Sequence, residues 1–301
     1  MDIIAISDIY SDTKIIQEFT ELIKQIINNK PIIIIAGDIG IKTASHRYQQ
    51  SINEITYSLS KISKQMFYIP GDSDIKELEI TVPNVKNLDR QNYIVKDDEI
   101  KVGLLGLGGA PSHSMRNTDL SPYLWDESIP IVKENLMTEL KIQIEKIAQE
   151  NPDYIILVTH SPPYGIADRS KPITLHETHV LEDILEELKG EIKIEETEAK
   201  EKEKTKKVTS IRHLGSRVIC DFIKYYKPDI HIFGHVHKEG GKTETEGATK
   251  FFNVSHLSPL PYKLTGRKFL QIRLTKETIS YSFRHVVAEN IPFDSFIDNY
   301  L

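Results

Sequence analysis

Short apolar runs recur along the chain, and each one is followed by a polar turn. Runs of four to six residues that are rich in Ile, Val, Phe and Tyr are typical of strands buried in the middle of a sheet. The runs that predict strands are residues 2–7, 32–36, 66–69, 102–107, 154–158 and 230–233.

Helical patterns lie between these runs. Over residues 15–27 and 214–226, apolar residues recur every three or four positions, which places them on one face of a helix. Weaker patterns of the same kind cover residues 48–62, 142–147 and 180–188. Strands that alternate with helices predict an α/β fold with helices on both faces of the sheet.

Composition places the chain among folded proteins. Of its 301 residues, 39% are hydrophobic, and 15 Gly with 14 Pro are too few for a collagen-like or disordered chain. A net charge of −6 disfavours a protein that binds nucleic acid over its whole surface, since such binding needs a surplus of Lys and Arg. A nucleic acid bound at a local basic patch is compatible with the sequence but is not the favoured partner. One cysteine, Cys220, excludes an internal disulfide.

The sequence predicts a cytoplasmic protein without a membrane span. The longest apolar run, residues 32–36, is far shorter than the roughly 20 residues that cross a bilayer. The N-terminal residues also lack the basic start and the cleavage site of a signal peptide.

One charged segment interrupts the α/β pattern. Residues 189–207 contain seven lysines and six glutamates, which is typical of a solvated insertion, either a hairpin or an extended helix. An arm that gates substrate or binds a partner is the functional alternative. We therefore predict a single domain over residues 1–288 with an insertion at about 169–210. A tail over 289–301 packs on the body or on a neighbouring subunit, so a homo-oligomer is compatible with the sequence.

Polar residues that suit metal ligation follow the predicted strands. Because the carboxyl ends of strands meet at one edge of an α/β sheet, we expect these side chains to converge. Mixed carboxylate and imidazole ligands favour Mn, Fe, Zn, Ni or Co over Ca and Mg. The residues are Asp8, Asp38, Asp72, Asp74, His160, His235 and His237.

Each of these signals is weak alone, because a Gly-Asp pair is often only a turn and a single His is often structural. The ordered set is much more specific, and its last member, Gly-His-Val-His at 234–237, is the strongest part. His231 lies within an apolar run and is interpreted as a core histidine. Asp168 is interpreted as a turn residue or loop anchor.

The set resembles the calcineurin-like metallophosphoesterase superfamily. That pattern runs Asp-x-His, Gly-Asp, Gly-Asn-His/Cys-Asp/Glu, a later His and Gly-His-x-His, and the resemblance covers residues 2–255. It is closest to the small prokaryotic branch, in which His-x-Gly-Ser precedes the last motif, as at residues 213–216 here. The longer signature of the serine/threonine phosphatases is missing, since Ile-Gly-Ile-Lys follows Asp38.

The resemblance implies a four-layer α/β/β/α sandwich of two mixed sheets flanked by helices. It also implies two divalent transition-metal ions (Mn, Fe, Zn or Ni), with Asp38 bridging them. Asp8 and His237 would hold one ion, and Asp72, His160 and His235 the other. A water or hydroxide between the ions would attack phosphorus in line. Asp38, Asp72 and His160 are thereby implied as catalytic residues.

Three positions depart from the family pattern. Tyr10 replaces the His of the first motif, Asp72 replaces the usual Asn, and Ser73 stands where some members carry a His that helps to protonate the leaving group. The first site should therefore bind metal more weakly than the second, and the ion count falls to one if nothing replaces the lost imidazole. Asp12 is close enough in sequence to be a substitute ligand.

Three further residues are predicted to bind substrate: His213, Ser216 and His113. The Gly-Ser at the start of the later helix could offer backbone N–H groups to a phosphate. Equally, Ser216 could only cap that helix. His113 follows a glycine-rich turn in a long loop that could lie over the site.

The sequence thus predicts a metallophosphoesterase that acts on a small-molecule or nucleotide phosphate ester, by phosphatase or phosphodiesterase chemistry. The alternative is a degenerate, non-catalytic member of the same fold that binds nucleotides or phosphate. The intact Gly-His-x-His favours the enzyme, and the altered first motif favours the alternative.

Overall fold

The protein is described by a computed structural model in which most of the chain is placed. The described residues are 1–40, 45–74, 80–97, 99–112, 123–169, 173–175, 192–196, 206–210, 213–255, 257 and 267–286.

The first large sheet has six strands and is mixed. Its strands are β1 (Asp2–Ile6), β2 (Ile32–Ala36), β3 (Gln65–Ile69), β4 (Val85–Asn87), β16 (Lys268–Leu274) and β17 (Ile279–His285). Their spatial order is β17-β16-β1-β2-β3-β4. The strands β1 to β4 run parallel, whereas β16 pairs antiparallel with β1 and β17 pairs antiparallel with β16.

The second large sheet also has six strands. They are β5 (Asn92–Asp97), β6 (Ile100–Leu107), β9 (Tyr154–Thr159), β13 (Ile230–Phe233), β14 (Thr243–Glu246) and β15 (Thr249–Asn253). In the order β14-β15-β13-β9-β6-β5, the four central strands are parallel and the two outer strands are antiparallel to their neighbours.

Two small sheets complete the described strands. One pairs β7 (Ala110–Pro111) with β8 (Leu124–Trp125). The other has the order β10-β12-β11 and consists of β10 (Ile173–Leu175), β11 (Ile192–Glu196) and β12 (Lys206–Ser210). The antiparallel pairing of β11 with β12 agrees with the hairpin alternative for the charged segment. The single domain, the insertion limits and the tail remain predictions.

Helices cover the outer faces of the two large sheets. They are α1 (Thr13–Ile26), α2 (Ser45–Ile62), α3 (Pro130–Gln149) and α4 (Arg217–Tyr226). In the first sheet, Ile4 and Ile6 pack with Phe19 of α1 and Ile52 of α2. In the second, Leu157 packs among residues of α3 and α4. No helix in the described part of the chain is long and apolar enough to span a membrane.

The third apolar cluster lies between the two sheets. Ile3 and Ala5 of β1 face Val102, Ile156 and Ile232 of the second sheet. Successive side chains of a strand point to opposite faces, so β1 contributes Ile3 and Ala5 to the central core and Ile4 and Ile6 to the contact with the helices. This confirms the predicted four-layer α/β/β/α sandwich of two mixed sheets.

All six predicted strands and the two strong helical patterns are confirmed. The weak pattern at 48–62 belongs to α2, the one at 142–147 is the C-terminal part of the longer α3, and the one at 180–188 lies outside the described residues. Strands at the sheet edges were not predicted, since they bury little apolar surface, and the interior strand β16 was missed although it is largely buried. In β17, for example, all seven residues are exposed or half-buried.

Candidate metal centre

The ligand candidates come from both large sheets. Asp8, Asp38 and Asp72 follow β1, β2 and β3 of the first sheet, while His160 follows β9 and His235 follows β13 of the second. The carboxyl ends of the parallel strands in the two sheets therefore supply different ligand types, carboxylates from one and imidazoles from the other.

Three of these residues lie in strained turns. Asp8, Asp38 and His235 have φ values of 58°, 52° and 71°, in the left-handed region that non-glycine residues seldom adopt. Such backbone conformations cost of order 1–3 kcal/mol each and concentrate at functional sites.

Asp72 is the centre of one ligand group. Its Oδ1 lies 2.9 Å from His160 Nε2 and 3.0 Å from His235 Nδ1. The three residues offer ligand atoms that all lie within 4.8 Å of one another, a spacing that one ion can bridge. Asp72 and His235 are partly accessible, whereas His160 is fully buried.

A backbone carbonyl orients the His160 ring. Nδ1 lies 2.8 Å from the carbonyl oxygen of Ala36. Because a carbonyl only accepts hydrogen bonds, Nδ1 must carry the proton in this contact, so Nε2 of the neutral ring has the free electron pair. Nε2 is also the nitrogen that faces Asp72 and lies 3.6 Å from Asp38 Oδ2.

The second ligand group contains Asp8, Asp38 and His160, whose ligand atoms also lie within 4.8 Å of one another. Asp38 Oδ1 accepts a hydrogen bond of 2.9 Å from the Ser73 N–H, and Asp8 Oδ2 accepts one of 3.3 Å from the His235 N–H. His160 thus belongs to both groups, and His237 joins this half of the centre through Asp8.

Tyr10 lies against that half of the centre. Its hydroxyl oxygen is 3.0 Å from His237 Nε2 and 3.4 Å from Asp8 Oδ1, and Nε2 is itself 3.0 Å from Asp8 Oδ1. Burial and the negative charges of Asp38 and Asp8 raise the pKa of the Tyr10 phenol. The neutral hydroxyl is therefore a hydrogen-bonding partner of two ligand candidates.

The carboxylates of this cluster are strongly coupled to its histidines. Burial, followed by the Asp72 and Asp8 charges, raises the pKa of Asp38 to about 7 against the opposing effect of His160. Burial would also raise the pKa of Asp72, but His235 and His160 outweigh it and hold that pKa well below its usual range.

These residues fit a divalent cation. Within the described ranges, no Lys or Arg forms an ion pair with Asp8, Asp38 or Asp72, so only histidines balance three clustered carboxylates. Buried charge of one sign is costly unless it is neutralised, and a cation neutralises it without protonating the ligands. The mixture of oxygen and nitrogen donors suits a transition metal.

Asp74 joins two ligand loops, a role that the sequence did not reveal. This fully buried carboxylate accepts hydrogen bonds from the N–H groups of Ile39, Gly40 and Gly71, and from the Tyr48 hydroxyl. It therefore holds the turn after β2 against the turn after β3. Its spacing of two residues from Asp72 was the available signal.

Gly71 allows the same two turns to approach each other closely. A Cβ atom at Gly71 would overlap the side chain and the backbone nitrogen of Asp38. The glycine of Gly-Asp-Ser-Asp is therefore required by the neighbouring ligand rather than by its own backbone angle.

Ser216, one of the predicted substrate residues, lies at the start of α4. Ser216 accepts a hydrogen bond of 3.1 Å from the Ile219 N–H and donates one to Glu127, which also accepts from the Arg217 N–H at 2.9 Å. These are the bonds of a helix cap, so they favour the capping alternative over phosphate binding. A substrate role for Ser216 remains a prediction.

His213 is hydrogen-bonded through Nδ1 to the buried Asp168. Asp168 also accepts from the N–H groups of Gly165 and Gly215, which agrees with its interpretation as a loop anchor. His113, the third predicted substrate residue, lies outside the described residues. Asp12, the alternative ligand, instead caps α1 through Ile15 and pairs with Arg267 at 3.1 Å.

His231 is a buried histidine of β13, as interpreted from its apolar run. The Thr159 hydroxyl donates to the Ser161 carbonyl at 2.5 Å, so the 2.8 Å contact between Thr159 and His231 requires His231 Nε2 to donate. Nδ1 is then a buried acceptor without a partner among the described residues. Burial lowers the pKa of His231 to about 3.

Comparisons with known proteins agree with this geometry. The model of the calcineurin-like phosphoesterase family matches residues 1–239. A comparison with curated proteins gives no match. Among solved structures, TT1561 of Thermus thermophilus is similar, with a TM-score of 0.57 and 14% sequence identity over 95% of this chain and 99% of that chain.

A candidate 5'-nucleotidase from Staphylococcus aureus, solved with alpha-ketoglutarate, is also similar. The TM-score is 0.50 and the sequence identity 12%, over 97% of this chain and 56% of that chain. The present chain thus spans little more than half of that protein. At such identities both structures support the fold alone.

Proposed function

Because the chain belongs to the calcineurin-like phosphoesterase family, we propose that it is a metal-dependent enzyme that hydrolyses a phosphomonoester or a phosphodiester. The observation that carries the proposal is the convergence of Asp8, Asp38, Asp72, His160 and His235 from two sheets into two overlapping ligand groups. A small-molecule ester is the proposed substrate class. Nucleotides are included because the similar Staphylococcus aureus protein is described as a candidate 5'-nucleotidase.

We assign the tighter ion to Asp72, His160 and His235, and a weaker ion to Asp8 and His237, with Asp38 shared. At the tighter site, the Asp72 carboxylate lies beside two imidazoles, those of His160 and His235. At the weaker site, the Tyr10 phenol stands where an imidazole would add a nitrogen ligand. Mn, Fe, Zn and Ni all suit these donors.

We propose the cytoplasm as the location of the protein. A chain with a single cysteine, Cys220, forms no internal disulfide, as is usual for cytoplasmic proteins.

The residues of the chain prepare the site before substrate arrives. The Ala36 carbonyl fixes the His160 ring, and the Ser73 N–H fixes the Asp38 carboxylate. Asp74 holds the turn after β2 against the turn after β3. Bound divalent cations supply positive charge that offsets the phosphoryl oxygens and makes water a better nucleophile at neutral pH. A preorganised site does not have to reorient its ligands during the reaction.

Metal analysis paired with two assays tests this proposal. Wild-type protein, Asp38→Ala and the matched control Asp221→Ala are analysed for Mn, Fe, Zn and Ni, and assayed on p-nitrophenyl phosphate and bis-p-nitrophenyl phosphate. Asp221 is an exposed carboxylate on α4 that pairs with Lys133 and is not among the ligand candidates. We expect Asp38→Ala to lose metal and to lose more than about 100-fold in activity. Removing a group that only supports a metal ligand costs up to about 100-fold, and Asp38 is proposed to be a ligand itself.

The control should retain both properties. A wild-type protein that binds no transition metal at micromolar concentration would contradict the proposal, as would an Asp38→Ala variant with undiminished turnover.

A non-catalytic phosphate-binding protein is the second candidate function. The observation that favours it is the contact of Tyr10 with His237 and Asp8, which alters the half of the centre that contains Asp8 and His237. This alternative predicts metal-dependent binding of inorganic phosphate by wild-type protein without hydrolysis of either ester.

A further inference from the structure

A buried carboxylate and a histidine form a second polar pair outside the ligand groups. Asp168 Oδ1 lies 2.8 Å from His213 Nδ1. Asp168 Oδ2 is 2.9 Å from the Gly165 nitrogen and 3.3 Å from the Gly215 nitrogen, and both N–H groups donate to it. Because an ionised carboxylate only accepts hydrogen bonds, His213 must donate from Nδ1. Any proton that this ring exchanges is therefore carried by Nε2.

Asn253 connects the segment that precedes Asp168 to the loop that carries His235 and His237. The buried Asn253 side chain donates to the carbonyl of Ala167 at 3.3 Å and to that of Val236 at 3.2 Å. Val236 stands between the two histidines, and Ala167 immediately precedes Asp168. One amide nitrogen thus joins the two segments.

A second connection runs through the segment after His160. The Ser216 N–H donates to the Pro162 carbonyl at 2.8 Å, and the Leu214 N–H donates to the Asp168 carbonyl at 2.9 Å. The segment that follows His213 is therefore anchored at the edge of the sheet where the His160 loop emerges.

The His213 ring is held on one face but is not sealed from solvent. The Tyr164 ring lies against it with centroids 4.8 Å apart, and the Arg217 guanidinium lies 4.2 Å from the Tyr164 centroid. The His213 side chain is 18% exposed. The neighbours therefore position the ring, and part of the side chain remains exposed to solvent.

Ester hydrolysis needs a proton for the leaving oxygen, because an alkoxide is a poor leaving group. Ser73 offers only a weakly acidic hydroxyl, and the Tyr10 hydroxyl is engaged with His237 and Asp8. Histidine is the side chain that most often acts as a general acid in proteins.

We propose that His213 donates a proton from Nε2 to the leaving oxygen of the ester, and that Asp168 positions its ring. This inference rests on the proposed hydrolytic function. The bond from phosphorus to the leaving oxygen breaks, a water oxygen forms the new bond to phosphorus, and the His213 proton goes to the leaving oxygen. The proton released by the attacking water passes to solvent, and solvent reprotonates Nε2. One ester and one water give one alcohol and one phosphate.

Substrates with different leaving groups test the role of His213. Wild type, His213→Asn and His213→Gln are compared on p-nitrophenyl phosphate and on an alkyl phosphate, or on the corresponding diesters if wild type prefers them. The Asn amide can still donate to Asp168, so His213→Asn removes Nε2 while keeping the anchor. His213→Gln is the second variant in case the first does not fold.

A proton donor matters most when the leaving oxygen is strongly basic. We expect kcat/KM on the alkyl ester to fall about 100-fold in both variants. The loss on the p-nitrophenyl ester should be at least about tenfold smaller, since p-nitrophenolate needs little protonation. His285→Asn, on the exposed strand β17, is the matched control and should leave both rates unchanged.

Metal content and thermal unfolding are measured for every variant. Equal losses on the two esters, or no loss on the alkyl ester, would overturn the assignment of His213 while leaving the hydrolytic function intact. Failure of metal-loaded wild type to cleave either ester would instead overturn the function and this inference together.

Discussion

Tyr10 is the residue at which this centre departs most clearly from the family pattern. Its phenol contacts His237 and Asp8, where the resemblance implies a third ligand. Burial and the charges of Asp38 and Asp8 raise the pKa of this phenol, so these groups favour its neutral form. A neutral phenol is a poor substitute for imidazole as a metal ligand.

Replacing Tyr10 tests how many ions the protein holds. After dialysis against low micromolar Mn, wild type should retain about one ion per chain. Tyr10→His should retain about two, because the added imidazole supplies a further ligand beside Asp8 and His237. Elemental analysis together with titration calorimetry measures the count and the affinities.

Tyr10→Phe is the control, since it removes the hydroxyl without adding a ligand and should leave the count near one. Two equally tight ions in wild type would show that Tyr10 does not weaken metal binding at the site of Asp8 and His237.

At the scale of elements, the centre depends on contacts between loops that follow different strands. The turns after β2 and β3 are joined by Asp74, and the turn after β13 is joined to the segment after β9 by Asn253. The cost of the left-handed turns at Asp8, Asp38 and His235 is offset by such buried hydrogen bonds. The ligand geometry is therefore a property of several elements together.

Asp74→Asn is expected to loosen two of these loops. An amide can accept through one oxygen only, so its NH₂ group would face backbone N–H donors that Asp74 now satisfies. We expect a loss of about 2–3 kcal/mol in the free energy of unfolding and a roughly 10–100-fold weaker metal affinity. Urea denaturation and metal titration measure the two effects.

The matched control is Asp97→Asn, which affects a surface ion pair with Lys64 at 2.6 Å. Exposed pairs contribute no more than about 1 kcal/mol, so this variant should stay close to wild type in both measurements. A similar small effect at Asp74 would show that the loops hold their places without it.

At the scale of the whole molecule, stability should depend on pH through His231. The unfolded chain binds a proton at this residue near its ordinary pKa of about 6.5, whereas the folded protein does so only near pH 3. The contribution of His231 to unfolding is therefore constant above pH 6.5 and increasingly destabilising as pH falls from there toward 3.

Between pH 7 and pH 5, His231 should cost the fold about 2 kcal/mol, and His231→Leu should remove that part of the loss. Leucine suits the site because His231 packs against Phe233 and Phe251. Urea denaturation of the metal-free proteins at the two pH values measures the difference. His285→Asn serves as the exposed control, and a parallel pH dependence in wild type and His231→Leu would contradict the expectation.

Most of the fold follows from local pattern. The strands β1, β2, β3, β6, β9 and β13 are buried on both faces and leave continuous apolar runs, whereas β17 is largely exposed and leaves no such run. The amphipathic faces of α1 and α4 are likewise evident from spacing alone. The ligand candidates were identifiable because they directly follow those strands.

The sequence by itself determined the six buried parallel strands, the two strongly amphipathic helices, the family resemblance and the residue types of the centre, because these depend on local periodicity and motif spacing. Only the tertiary structure decided that Asp74 and Asn253 hold the ligand loops together, that Ser216 caps α4, and that Asp168 anchors His213. These contacts join residues distant in the chain through hydrogen bonds whose partners no local pattern specifies. Their positions depend on how two sheets pack and on turns with unusual backbone angles.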